Sequence, residues 1–260
     1  PSELAVRVSD RHFGIGSDGL ILIKPSEVAD FKMDMYNADG TQSEMCGNGI
    51  RCVGKYVYDY GLSDKTSVSI ETLAGIKYLE FTLGDEEKNG RKTVKLVRVN
   101  MGAPILTPED VPVKLPDAGD LVKDYPITVD GKEYRITCVS MGNPHCVSFV
   151  DDVDNFPLEE VGPLFENNPI FPRRVNAEFV ELVSPTYAKM RVWERGTGET
   201  LACGTGTCAT AVACILNGKT EDEVTVKLLG GELIIRWDRD ANIIYMTGPA
   251  KVVFDGEIEV

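Results

Sequence analysis

Apolar positions along the chain fall into short alternating runs, punctuated by four stretches read as helices. Residues 31–37, 68–72, 76–83 and 93–100 alternate apolar with polar and predict strands. The apolar run 20–23 predicts a buried strand. Residues 47–60 carry Ile50, Val53, Val57 and Tyr60 at helical spacing and stop at Gly61, which predicts a helix. Leu4, Ala5, Val6 and Val8 predict a short helix within 4–12. Ala38-Asp39-Gly40 reads as a turn and the charged stretch 85–91 as another. Residues 102–120 are proline-rich and poorly periodic, and are read as the link between two halves. Beyond them, 134–140 and 147–150 predict strands around Met141-Gly142-Asn143-Pro144-His145. Residues 158–166 predict a helix. Strands are expected at 177–184, 189–193, 223–228, 232–237 and 243–247. Residues 204–217 predict a second long helix, stopped by Asn217-Gly218.

The pattern repeats. Cys46-Gly47-Asn48-Gly49 opens one long helix and Cys203-Gly204-Thr205-Gly206 opens the other. Gly75 follows Cys46 by 29 residues and Gly231 follows Cys203 by 28; each then leads through a strand to Met101-Gly102-Ala103-Pro104 or Met246-Thr247-Gly248-Pro249. A helix followed by several antiparallel strands therefore occurs twice. The fold class is α+β with two pseudo-symmetric halves, each an antiparallel, barrel-like curved sheet around a central helix. The halves are assigned to 1–115 and 116–260, with the last strand packing back on the first half. The active site is expected in the cleft between them.

Composition narrows the chemistry. At 43% hydrophobic and 26% charged residues, the chain is an ordinary globular protein. No apolar run approaches the roughly 18 residues of a membrane helix. A net charge of −14 argues against nucleic acid or an anionic membrane as partner. Seven cysteines, an odd number, cannot all pair, and with only two histidines no zinc spacing is present. No metal is expected; reduced thiols and a cytoplasmic setting are. Gly14-x-Gly16-x-x-Gly19 has a dinucleotide-like spacing, but it precedes a strand instead of following one.

A thiol at a helix N-terminus faces unpaired backbone N–H groups and the positive end of the helix dipole, a setting that lowers thiol pKa and cradles anions. One cysteine before Gly-x-Gly is ordinarily a small buried residue. Two copies in a repeated context point to two thiols facing one substrate. One as thiolate removes a proton while the other delivers one to the opposite face, which inverts a stereocentre. Amides of Gly47, Asn48, Gly204 and Thr205 are placed to hold a carboxylate and stabilise a carbanionic transition state without a cofactor. Cys52, Cys138, Cys146, Cys208 and Cys214 are read as core or helix-face residues.

Tyr36-Asn37-Ala38-Asp39-Gly40, with Met45-Cys46-Gly47-Asn48-Gly49-Ile50-Arg51-Cys52, resembles the first signature of diaminopimelate epimerases. Gly142-Asn143-Pro144-His145, Arg174-Val175-Asn176 and the run from Trp193 to Gly206 are similar to the rest. The resemblance implies a PLP-independent, two-base epimerase interconverting LL- and meso-2,6-diaminopimelate, a precursor of lysine and peptidoglycan. It implies a homodimer. Cys46 and Cys203 would be the alternating base and acid, His145 would tune Cys46, and Glu194 would tune Cys203. Asn37, Asn143, Asn176, Glu194 and Arg195 would hold the substrate. Family members usually open with a strand and a Gly-Asn-Asp-Phe-like segment whose Asn contacts substrate; this sequence starts after that position. Gly19 stands where some members carry a polar side chain. Proline-type racemases are the nearest alternative, but they carry His where this chain has Asn48 and lack Glu194-Arg195. A binding protein that kept the fold and a redox protein pairing Cys46 with Cys203 are further alternatives; oxidation is expected to trap that disulfide.

Overall fold

The computed structural model describes residues 1–88 and 90–259. Two compact units divide the chain: Pro1–Asn100 with Gly248–Val260, and Met101–Thr247. The expected boundary at 115 thus lies inside the second unit. The terminal segment does join the first unit, but without strand structure. Its anchor is Arg51, a buried side chain that donates through Nε to Pro249 O at 3.2 Å and through Nη1 to Gly47 O at 3.0 Å. Tyr60 donates to the Asp255 carboxylate further along the segment.

In the first unit, α1 (Ser2–Ser9) precedes β1 (Gly19–Lys24), β2 (Phe31–Asn37) and the short β3 (Gln42–Ser43). Then come α2 (Gly47–Asp59), β4 (Ser67–Thr72), β5 (Gly75–Lys88) and β6 (Arg91–Gly102). β1 is half-buried along its length, not fully buried. The charged turn expected over 85–91 is mostly strand: residues 85–88 extend β5 and Arg91 starts β6, while Asn89 lies outside the described residues.

β1 and β3 flank β2 antiparallel, and β4, β5 and β6 form an antiparallel meander. β2 and β4, however, run parallel, with Phe31 opposite Ile70. The all-antiparallel expectation is corrected at this point. Parallel neighbours need a crossover, and α2 supplies it.

The second unit begins with β7 (Tyr125–Val129), β8 (Lys132–Ser140), β9 (Pro144–Phe149), α3 (Leu158–Glu166), β10 (Asn176–Ser184) and β11 (Tyr187–Glu194). It continues with β12 (Gly198–Glu199), α4 (Gly204–Leu216), β13 (Glu223–Leu228), β14 (Gly231–Asp238) and β15 (Ile243–Gly248). β9 and β10 are parallel across α3, and β11 and β13 are parallel across α4. The order strand, cysteine-led helix, parallel strand, hairpin therefore occurs in both units. The hairpins match closely: Thr72 faces Gly75 in one and Leu228 faces Gly231 in the other. Gly75 has φ +90° and Gly231 φ +143°, conformations that side chains disfavour, which explains glycine at both repeat positions.

The two central helices differ in burial. α2 buries one face through Ile50, Val53 and Val57, whereas α4 is buried from Gly204 through Ile215 apart from Thr205. A helix apolar on every side must be enclosed. Its polar Thr207 and Thr210 are satisfied internally, Thr207 donating to Cys203 O at 2.7 Å and Thr210 to Met190 Sδ at 3.1 Å. A further core in this unit stacks Phe156 on Phe179 and sets Phe165 edge-on to Phe179 and Tyr134.

Candidate active site

Each repeated cysteine is a helix N-cap. Cys46 has φ −132° and ψ 118°, and Cys203 has φ −118° and ψ 109°, both extended backbone. Cys46 Sγ accepts the Gly49 N–H at 3.3 Å, and Cys203 Sγ accepts the Gly206 N–H at 3.4 Å. Serine, threonine, aspartate and asparagine make the strongest N-caps. Two cysteines in this position therefore point to chemistry beyond capping. The glycines at the third helical position have side-chain ends packed closely over them. A Cβ on Gly49 would come within 2.7 Å of Ile21 Cδ1; one on Gly206 would lie 2.6 Å from Glu178 Oε1 and 3.2 Å from Cys203 Sγ.

The first turn of each helix leaves backbone N–H groups without intrahelical acceptors. Gly47 and Asn48 lie in that turn of α2, and Gly204 and Thr205 in that of α4. Asn48 Oδ1 accepts from Arg51 Nη2 at 3.1 Å, which ties its side chain back along α2. Thr205 Oγ1 lies 3.6 Å from Cys203 Sγ.

Burial changes the expectation for one thiol. Cys203 is 6% exposed, and burial pushes its pKa well above the ordinary thiol value. The nearby carboxyls of Glu194 and Glu178 push the same way; the Thr205 and Gly206 hydrogen bonds pull it down less. Desolvation outweighs the helix terminus here, so Cys203 rests as a protonated thiol. Iodoacetamide at neutral pH should consequently label the half-buried Cys46 well before Cys203. Peptide mass mapping reads this out, and faster labelling of Cys203 would contradict the burial argument.

The remaining expected residues make specific contacts. Asn37 at the end of β2 donates through Nδ2 to Thr41 Oγ1 at 2.9 Å. Asn176, 4% exposed, donates to Pro144 O at 2.8 Å and accepts the Arg195 N–H at 2.9 Å, so its amide joins β9 to the loop after β11. The exposed Arg195 guanidinium donates to Arg173 O at 2.9 Å. That loop is held from below by Glu166, which accepts from Trp193 Nε1 and the Gly196 N–H, each at 2.8 Å. Glu194 accepts the Thr200 hydroxyl and exerts its field on both Cys203 and His145.

His145 is fully buried in β9. Its Nδ1 is 2.7 Å from Glu178 Oε1 and its Nε2 is 3.0 Å from Asn143 Oδ1. Burial lowers its pKa to about 3, against the opposing pull of Glu194. Glu178, in β10, is the residue sequence reasoning missed. It is 0% exposed and joins the environments of His145, Gly206 and Cys203. Its sequence signal is a single acid inside the apolar run Val175 to Val180, two positions after Asn176.

Among the described residues, one group of acids lies close enough to share a cation: Asp152, Asp154 and Glu181. Lys189 occupies part of it and offsets one of its charges, with Nζ 2.8 Å from Asp154 and 3.4 Å from Glu181. None of the seven cysteines, all among the described residues, is in a disulfide. No helix among the described residues is long and apolar enough to cross a membrane.

The architecture defines a class. It superposes on a PhzF-family phenazine biosynthesis protein of Bacillus anthracis with a TM-score of 0.61 at 19% identity, over 95% of this chain and 84% of that one. It superposes on a hydroxyproline epimerase of Agrobacterium vitis with a TM-score of 0.63 at 16% identity, over 94% and 75% of the two chains. At these identities the likeness is one of fold, the fold of PhzF proteins and proline-type epimerases.

Sequence narrows the class. The diaminopimelate epimerase family pattern matches residues 1–107 and 137–253. The diaminopimelate epimerase of Acetivibrio thermocellus is 60% identical over 260 residues, all of this chain and 90% of that protein. That of Methanococcus maripaludis is 57% identical over all of this chain and 91% of its own length. The chain belongs to the diaminopimelate epimerase family, a family of isomerases.

Proposed function

We propose that this protein interconverts LL- and meso-2,6-diaminopimelate by moving an α-proton between the substrate and two thiols, Cys46 and Cys203. The observation that carries the reading is the pair of cysteine N-caps on repeated crossover helices, in a chain of this family. In one direction the Cys46 thiolate takes the α-proton. The C–H electron pair stays on the α-carbon, and the Cys203 thiol, protonated at rest, gives its proton to the opposite face. The products are an inverted centre, a Cys46 thiol and a Cys203 thiolate; the reverse reaction starts from that state.

The α-carboxylate is held by the amides of Gly47, Asn48, Gly204 and Thr205, whose N–H groups belong to the first turns of α2 and α4 and suit a growing negative charge. Glu194 tunes Cys203, and its field on that sulfur supports this role. Asn37, Asn143, Asn176, Glu194 and Arg195 take the distal amino-acid head, whose carboxylate and ammonium suit a guanidinium, amides and a carboxylate. The proline-type alternative is disfavoured by the family match and by Glu194-Arg195. A cytoplasmic setting accords with seven cysteines outside any disulfide, and a homodimer accords with family membership.

Proton NMR of LL-diaminopimelate in D2O under reducing conditions tests the reading. Deuterium at one α-carbon with formation of the meso isomer is the expected result. Exchange with proline and none with diaminopimelate would overturn the substrate assignment, and exchange with neither would overturn catalysis by this chain.

A further inference from the structure

Glu178 is a buried acid that the two-thiol reaction does not use. Its Oε1 faces His145 Nδ1 at 2.7 Å, while its Oε2 is buried with no hydrogen-bond partner among the described residues. On the other side of the ring, His145 Nε2 faces Asn143 Oδ1 at 3.0 Å. The three side chains form a line from the interior of β10, through β9, to the partly exposed Asn143.

Three proton arrangements satisfy these distances, but an imidazolium–carboxylate pair, with Nδ1–H on an ionised Glu178 and Nε2–H on Asn143 Oδ1, would bury two full charges, which leaves two neutral-ring arrangements to weigh. In one, an ionised Glu178 accepts from Nδ1–H, and Asn143 turns to donate to Nε2. In the other, Glu178 is a neutral acid that donates to Nδ1, and Nε2–H donates to Asn143 Oδ1. The first buries a full negative charge, which the backbone N–H groups of Glu178 and Cys146 offset less than burial opposes it. It also sets an anion against Gly206 in the first turn of α4, beside the sulfur that must become a thiolate. The second leaves an uncharged oxygen orphaned, and no net charge on the pair.

We infer that Glu178 is a positioning residue: as a neutral acid it fixes His145 as the Nε2–H tautomer, and through it turns Asn143 so that the amide NH2 faces the substrate. The same burial, with the Glu194 charge beside it, raises the Glu178 carboxyl well above the usual carboxylate range, and burial lowers His145. Asn143 then presents two donors and no acceptor to its ligand, which suits a carboxylate oxygen and rejects an ammonium. The inference rests on the proposed substrate site for its role in binding, but not for the tautomer itself.

The chain has two histidines, so nitrogen-15 histidine labelling yields two rings, and the His12→Gln variant assigns them. In the ligand-free protein at neutral pH, His145 should show a protonated Nε2 and an unprotonated Nδ1. An Nδ1–H ring or an imidazolium overturns the inference whatever the protein turns over. The second readout is kinetic. Glu178→Leu removes the donor and should raise KM for diaminopimelate by about tenfold, the value of one oriented hydrogen bond, with a smaller change in kcat. Glu178→Gln keeps an N–H for Nδ1 and should recover most of that loss with the same tautomer. Equal losses in both variants, or a fall in kcat with KM unchanged, would overturn the positioning role. Should Glu178→Leu fail to fold, the tautomers of the wild type and Glu178→Gln decide the matter.

Discussion

Replacing Cys46 or Cys203 with serine should each lower kcat for epimerisation by about 10²- to 10⁴-fold, the usual contribution of a positioned acid or base. The fold should survive, because serine is the better N-cap and its oxygen can accept the same Gly49 or Gly206 N–H. What is lost is acidity. An alcohol at a helix terminus is not ionised near neutral pH, so it cannot serve as resting base, and it gives up a proton less readily than a thiol. Steady-state kinetics in both directions, with circular dichroism to verify folding, measures this. A serine variant with near wild-type turnover would remove that residue from the two-base scheme. Because inversion needs both faces of the α-carbon, the double variant should be little worse than either single one.

Phe179→Ala should destabilise the second unit by about 3–5 kcal/mol, the range for truncating a buried aromatic that its surroundings cannot replace. Phe179 is fully buried, stacked on Phe156 with ring centroids 4.2 Å apart and edge-on to Phe165 at 5.0 Å. These partners come from β10, α3 and the loop before α3, so the cavity would lie where three segments meet. Chemical denaturation of wild type and variant gives the difference. A loss below about 1 kcal/mol would mean that the neighbouring rings close the gap. The position also adjoins Glu178, so residual activity in the folded variant reports whether the His145 line tolerates movement of β10.

Periodicity located the strands flanking both central helices, because a half-buried strand and a buried helix leave different spacings of apolar residues. It predicted α3 at its observed bounds and the stop of α2 at Gly61. It missed β7, although Tyr125, Ile127 and Val129 alternate with the exposed Pro126 and Thr128, because the strand is short and a proline within a run argues against a strand except at a sheet edge, where β7 lies. It also misread the charged end of β5, since an exposed hairpin carries no core face to impose a pattern.

The sequence alone determined the duplication, the cysteine at the head of each helix, the glycines that follow, and the family. These are local: a cap, a turn and a repeat are written in consecutive residues. Tertiary structure decided what depends on neighbours distant in the chain. Strand direction across each helix follows from the crossover, and Arg51 of α2 holds the C-terminal segment to the first unit. Cys203 keeps its proton because a fold encloses it, against the pull of its own helix. Glu178 matters because β9 and β10 lie side by side and bring it to His145, 33 positions away in sequence, where the low dielectric makes one proton's position consequential.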